Sequence, residues 1–214
     1  MVQKLLTVVG GTGTQGLSLI NAALKDGHYK IRGLTRNPLS EKGKDLSARG
    51  VEVVKADLND EQSLIRAFEV RNILQNLGER RAKFFIHAQG SIAIYGVTDF
   101  FEPFANNGPE KAVEIEVAQG INIAKAASQT PSLEHFIWST LPNGARVTNG
   151  KYQVPHFGAK NRVDDYIKQD AALFAKTTFF WITFYGNNFQ YPMFTPNFMA
   201  SLAIPFLEGM IFFS

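Results

Sequence analysis

The chain has 214 residues, 45% hydrophobic and 19% charged, which is enough for one well-buried core with a partial appendage and too little for two large independent domains. Its 22 basic residues against 19 acidic ones give a formal charge of +3, scattered along the chain; this suits mild attraction for phosphates and argues against direct nucleic-acid binding. There is no cysteine, so a disulfide framework, a thiolate zinc site and a cysteine nucleophile are excluded, and the reducing cytoplasm or nucleus is the expected location.

Leu5 to Val9 reads as a first, apolar strand that runs straight into Gly10-Gly11-Thr12-Gly13-Thr14-Gln15-Gly16. Glycines at 10, 13 and 16 between a strand and a helix form a dinucleotide phosphate grip. Gly10 supplies the tight turn, Gly13 lets the backbone approach a pyrophosphate, and Gly16 lets the helix pack against the strand, so that the N–H groups of its first turn face the anion. Gly10, Thr12, Gly13, Thr14, Gln15 and Gly16 are therefore candidate cofactor-binding residues. The helix follows from Leu17 to Lys25, with Leu17, Ile20, Ala23 and Leu24 on one face, and Asp26-Gly27 stops it.

Tyr29 to Leu34 is the second strand, followed by Thr35-Arg36-Asn37. An NAD-selective site places an acidic residue here, against the adenosine ribose, and the sequence has none. A guanidinium at this point can fork onto a 2′-phosphate, so Arg36 argues for NADP(H) over NAD(H); the bland alternative is a solvated loop arginine. Ser40 to Arg49 is a short polar helix closed by Gly50, Val51 to Lys55 a third strand ending in Ala56-Asp57-Leu58, and Asn59 or Asp60 caps a helix carrying Leu64, Ile65 and Phe68. Such alternation predicts an α/β fold with a Rossmann-type, doubly wound parallel sheet and right-handed crossovers.

The block from Val70 to Gln89 breaks this rhythm. It lengthens a connection that usually takes a few residues, and reads either as an insertion or as a longer helix followed by an extra strand at Lys83 to His87. Beyond it, Ile92 to Val97 is a strand, Glu110 to Ala127 a long helix, His135 to Ser139 a strand, Lys160 to Lys168 a helix with Val163, Tyr166 and Ile167 apolar, and Thr178 to Phe184 β-rich. Phe179, Phe180 and Trp181 read as core rather than as a cofactor box. Ser139 and Thr140 end their strand where switch-point sheets present residues to a ligand, so Ser139 is a candidate to orient a carbonyl, or else caps the next turn. Asn187 to Pro205, dense in Phe, Pro and Asn, has no clean period. The expected organisation is a dinucleotide-binding domain over 1–185 and a small, truncated substrate-side lobe over 186–214, with Tyr185 to Asn188 at its border.

Together, Gly10-x-x-Gly13-x-x-Gly16, Thr35-Arg36-Asn37, Ala56-Asp57-Leu58, Gly96-Val97-Thr98-Asp99-Phe100-Phe101-Glu102 and His156-Phe157-Gly158-Ala159-Lys160 resemble the NmrA-like family, atypical members of the short-chain dehydrogenase/reductase superfamily. The resemblance covers nearly the whole chain outside 70–89 and the last few residues. It implies NADP(H) binding, with Asp57 and Leu58 near the adenine and Val97 and Thr98 beside the nicotinamide ribose. It also marks 70–89 as non-family sequence of the kind a retained intron supplies, since its removal would join Phe68-Glu69 to Gly90-Ser91.

Ordinary superfamily members use Tyr-x-x-x-Lys on one helix, because residues four apart share a face and the ammonium lowers the pKa of the phenol. Here the residue four before Lys160 is His156, so the standard pair is missing. Lys160 remains a candidate to hold the nicotinamide ribose. His156 is a candidate proton exchanger, or a polar residue at a helix start just after Pro155, which is the reading preferred. With Ser139, these are the candidate catalytic residues.

No histidine or carboxylate cluster suggests a metal, and Gly-x-Ser-x-Gly is absent. The apolar run from Phe198 to Phe213 holds Pro205, Glu208 and Gly209 and is too short for a bilayer, and nothing at the start resembles a signal peptide, so no membrane association is expected. Two functions compete: a reductase acting on a small carbonyl or enone, and a non-catalytic NADP(H) redox sensor that regulates a protein partner such as a transcription factor.

Overall fold

The computed structural model describes residues 4–69, 90–182 and 184–190. In chain order the elements are β1 (Lys4–Val8), α1 (Thr14–Asp26), β2 (Tyr29–Thr35), α2 (Glu41–Ala48), β3 (Glu52–Lys55), α3 (Glu61–Phe68), β4 (Ala93–Gly96), α4 (Phe101–Asn107), α5 (Pro109–Ser128), β5 (His135–Thr140), α6 (Gly144–Val147), α7 (Pro155–Gln169), α8 (Ala171–Phe174) and β6 (Thr177–Trp181), then a 3-10 turn at Gly186–Gln190. The strands form one parallel sheet in the order β3-β2-β1-β4-β5-β6. That is the Rossmann order expected from the alternating pattern, with β1 and β4 adjacent at the point where the winding reverses.

Local chemistry sets the boundaries. Gly27 ends α1 in the left-handed region, at φ 75°, and its N–H bonds the Ala23 carbonyl, a cap that L side chains resist. The Ser40 hydroxyl accepts from the Gly43 N–H to start α2, and of the two cap candidates before α3 it is Asp60 that accepts from the Ser63 N–H. The apolar positions then fill two layers. On one face of the sheet Ile20, Ala23 and Leu46 pack on Leu6, Val8, Ile31 and Val51. On the other, Leu64, Phe68, Ile123, Ala127, Val163 and Ile167 pack on Ile94, Phe136 and Trp138. Full burial of a side chain such as Phe136 contributes about 1.5–3 kcal/mol by transfer alone.

Two polar groups knit the layers. Arg32 on β2 is buried; its Nη1 donates to the carbonyls of Ala67 and Glu69 at 2.7 and 2.9 Å and its Nη2 to both carboxylate oxygens of Glu52, closing the C-terminus of α3. Ser91, on the way into β4, donates its N–H to the Phe68 carbonyl at 3.0 Å. The chain therefore leaves α3 and returns toward β4 at one place, and residues 70–89, where an insertion or an extra helix and strand was expected, lie outside the described residues.

Several elements depart from the sequence reading. Helix α7 begins at Pro155 rather than Lys160, because proline at N1 loses no intrahelical bond. Helices α4, α6 and α8 were not anticipated. The aromatic run of β6 is not core throughout: Phe179 packs on the inner cluster, but Phe180 and Trp181 are exposed, β6 being the outermost strand of the sheet among the described residues. The chain divides into two compact units, 1–181 and 182–214. In the second, Phe184 meets Phe189 edge-on at 5.2 Å and the Asn188 N–H bonds the Tyr185 carbonyl; most of the expected lobe lies outside the described residues.

Candidate functional site

The loops after β1, β2, β4 and β5 gather at the carboxyl edge of the parallel sheet, where open α/β folds bind ligands. After β1, Gly10 turns the chain at φ 64° and accepts from the Gly13 N–H at 2.9 Å. A Cβ on Gly16 would collide with the Gly10 carbonyl, so the first turn of α1 lies directly against the loop. Gly13, the N-cap, is extended with φ −85°; no side chain caps this helix and no acidic residue stands in its first turn. The positive end of the helix dipole, with N–H groups that have no intrahelical acceptor, therefore faces the loop. These are the features an anionic group needs, and Gly13, as the N-cap, sets no side chain beside them.

At the end of β2, both terminal nitrogens of Arg36 donate to the two carboxylate oxygens of Glu102, each at 2.8 Å. This pair, joined across 66 residues, raises the Arg36 pKa and lowers that of Glu102, and the negative charges of Asp57 and Asp99 add to the effect on Arg36. Asp57 itself accepts from the backbone and side-chain N–H groups of Asn59, as a turn residue does. The Leu58 carbonyl accepts from Asn122, and the Leu58 side chain packs against the core.

Beyond β4 lies a buried ionic cluster. Lys160 Nζ donates to Thr98 Oγ1 at 2.9 Å and stands 3.1 Å from Glu116 Oε1, while the Thr98 hydroxyl donates to the same carboxylate oxygen at 2.8 Å. Glu116 has no exposed surface, and its Oε2 has no hydrogen-bond partner among the described residues. One turn further along α7, Asp164 accepts from Trp138 Nε1 and Thr140 Oγ1, each at 2.9 Å, and burial pushes its pKa up against the pull of those donors. His156 is the second residue of α7. Its ring lies 5.6 Å from Phe100, 5.6 Å from Phe101 and 4.7 Å from Phe157, and burial lowers its pKa.

The structure thus brings Thr98, Lys160 and His156 to one side of the sheet, with Val97 in the loop against Gly10. Ser139 lies on the other side: β5 alternates, Trp138 and Thr140 reaching Asp164 while Ser139 donates to Gln15 Oε1 at 2.7 Å. The same oxygen accepts from the Tyr95 hydroxyl at 2.5 Å. Ser139 therefore does not cap the following turn; Asn143 does that.

Sequence reading overlooked Glu102, Glu116, Asp164 and Tyr95. Only Glu116 carried a signal. It falls in the stripe Ala112, Glu116, Gly120, Ile123 and Ala127, an otherwise small and apolar helical face, where a charge requires a buried partner. No cluster of His, Cys, Asp or Glu with metal-binding geometry occurs among the described residues, nor does any helix there have the length and apolarity to cross a membrane.

A model of the NmrA-like family matches residues 2–209. The chain belongs to the NmrA-like family. Among family relatives, an NmrA-like family domain-containing protein of Dictyostelium discoideum is 30% identical over 168 residues, covering 78% of this chain and 46% of that protein. An NmrA-like family domain-containing oxidoreductase of Aspergillus hancockii is 28% identical over 187 residues, covering 87% and 48%. This NmrA-like chain spans about half the length of the curated relatives it matches. Among solved structures, the negative transcriptional regulator NmrA in complex with NAD aligns with TM-score 0.66 at 22% identity, over 91% of this chain and 50% of that one. The same regulator in complex with NADP aligns with TM-score 0.64 at 23% identity over the same shares. At these identities the likeness establishes the shared fold.

Proposed function

We propose that this NmrA-like chain binds a nicotinamide dinucleotide, NADP(H) in preference to NAD(H), across the carboxyl edge of its sheet, and that the full protein is an atypical short-chain reductase acting on a small carbonyl or enone. The observation that carries the reading is the uncapped, acid-free N-terminus of α1 set against a glycine loop packed so closely that a side chain at Gly16 would strike the Gly10 carbonyl. Gly10, Thr12, Gly13, Thr14, Gln15 and Gly16 hold the pyrophosphate, Arg36 the 2′-phosphate, Asp57 and Leu58 the adenosine, and Val97 and Thr98 the nicotinamide ribose. The nicotinamide, when bound, supplies or accepts the hydride. Lys160 rises from the Thr98–Glu116 cluster to donate to ribose hydroxyls, and the aromatic ring of residues around His156 keeps water from that end of the cleft.

A second reading, a redox sensor that responds to the cofactor and regulates a protein partner, is favoured by one specific observation: the only residue spaced like the superfamily phenol is His156, which burial keeps neutral, and Lys160 is already engaged by Glu116. NADPH absorbance followed against a panel of ketones, aldehydes and enones separates the two. Substrate-dependent decay supports the reductase; saturable binding of NADPH without decay for any compound supports the sensor.

A further inference from the structure

The sequence has no acidic residue directly after β2, yet the fold supplies one from a distance. Glu102, in the first turn of α4, presents both carboxylate oxygens to both terminal nitrogens of Arg36. Its position is well fixed for a surface residue. Asp99 Oδ1 accepts from the Phe101 N–H at 2.9 Å, the buried Phe100 stacks on Phe104 at 5.6 Å, and Asn106 donates to the Glu102 carbonyl at 3.0 Å. These contacts order the helix that carries the carboxylate, and the Phe100 ring, 5.6 Å from that of His156 on α7, ties it to the fold apart from the ion pair.

Glu102 occupies the end-on pair of terminal nitrogens on the Arg36 guanidinium, which leaves the side-on edge that includes Nε as the second fork. A 2′-phosphate carries close to two negative charges, so at either fork it competes with the carboxylate for the one cation and is repelled by it at close range. Asp57 and Asp99, whose charges also act on Arg36, deepen the opposition. A ribose lacking the phosphate makes no such demand.

Resting on the dinucleotide reading above, we propose that Glu102 is a specificity-determining residue: an internal carboxylate that holds the terminal nitrogens of Arg36, competes with the 2′-phosphate of NADP for that cation, and leaves NAD binding nearly untouched. Glu102 narrows the gap between the two cofactors that Arg36 alone would set. Selectivity at this site is then written in two places, the loop after β2 and the helix after β4, rather than in a single residue.

The test is calorimetric titration of the protein and of Glu102→Gln with NADP+ and with NAD+ in the same low-salt buffer. Glu102→Gln is expected to tighten NADP+ about three- to tenfold, the scale of a partly exposed ion pair plus one relieved repulsion, and to change NAD+ by less than about twofold. In the Arg36→Ala background the same substitution should give no gain. If Glu102→Gln leaves the NADP+ to NAD+ ratio unchanged while both nucleotides bind, the role of Glu102 is overturned and dinucleotide binding stands. If neither variant binds either nucleotide, both fall.

Discussion

Lys160 and Glu116 form a buried ion pair, 3.1 Å apart, with Thr98 hydrogen-bonded to both. A buried pair of this kind gains little over apolar residues of equal volume, but breaking it leaves a lone charge in a medium that solvates it poorly. Glu116→Leu and Lys160→Met should each therefore lower unfolding stability by about 3–5 kcal/mol, and the double variant Glu116→Leu/Lys160→Met should lose much less than the two added together. Urea unfolding of the four proteins checks this, and additive losses would show that the two charges are independent.

His156 offers a pH test. Burial lowers its pKa from the ordinary value of 6.5, so the neutral ring is favoured in the fold and protonation favours the unfolded chain. The stability it contributes is complete above pH 6.5 and is lost as pH falls through its lower folded value. An NMR titration should place the midpoint below 6.5, and His156→Phe, which keeps the aromatic cluster, should remove this part of the acid sensitivity. Should any turnover survive His156→Phe within about threefold, the ring acts by packing; a loss of the 10²-fold or more typical of general acid–base catalysis assigns it the proton.

Arg36→Ala should weaken NADP+ by about tenfold or more, the value of a charge-assisted fork, with a much smaller effect on NAD+. Competition binding of the two nucleotides measures this directly. Equal losses would mean that Arg36 acts on the shared part of the cofactor.

The Phe68 carbonyl accepts the Ser91 N–H. If Glu69 were joined to Gly90, residues 68, 69, 90 and 91 would form a four-residue turn with its closing hydrogen bond already in place and glycine at the third position. A variant lacking 70–89 should fold cooperatively, with a melting temperature within about 5 °C of the parent, because the four-residue turn left behind closes a shorter connection, a change worth only about 1–2 kcal/mol of closure entropy. Loss of the folding transition would mean that the block belongs to the core.

Much of this was legible because it is local. Hydrophobic runs, the stops at Gly27 and Gly50, a cap at Asn59 or Asp60 and the glycine spacing all act within a few residues, and they give the alternation of strands and helices. Helix α4 was hidden because Phe100 supplies no capping side chain and Pro103 stands inside the first turn, neither of which reads as a helix start from a single sequence. The electrostatic partners were hidden for a deeper reason. Arg36 meets Glu102 and Lys160 meets Glu116 only after the crossovers stack the elements, so a search for an acid beside Arg36 along the chain examines the wrong neighbourhood.

Calorimetric titration of the protein and of Gly13→Val with NADP+ tests the central claim most directly. Gly13 has ordinary extended angles and a Cβ there meets only the Gly10 carbonyl, at 3.2 Å, so the variant should keep its fold by circular dichroism while its branched side chain fills the approach to the helix N-terminus. One NADP+ is expected to bind saturably per chain in the parent and none in a folded Gly13→Val. A parent that does not bind, or a folded variant that binds as tightly, would contradict the central claim.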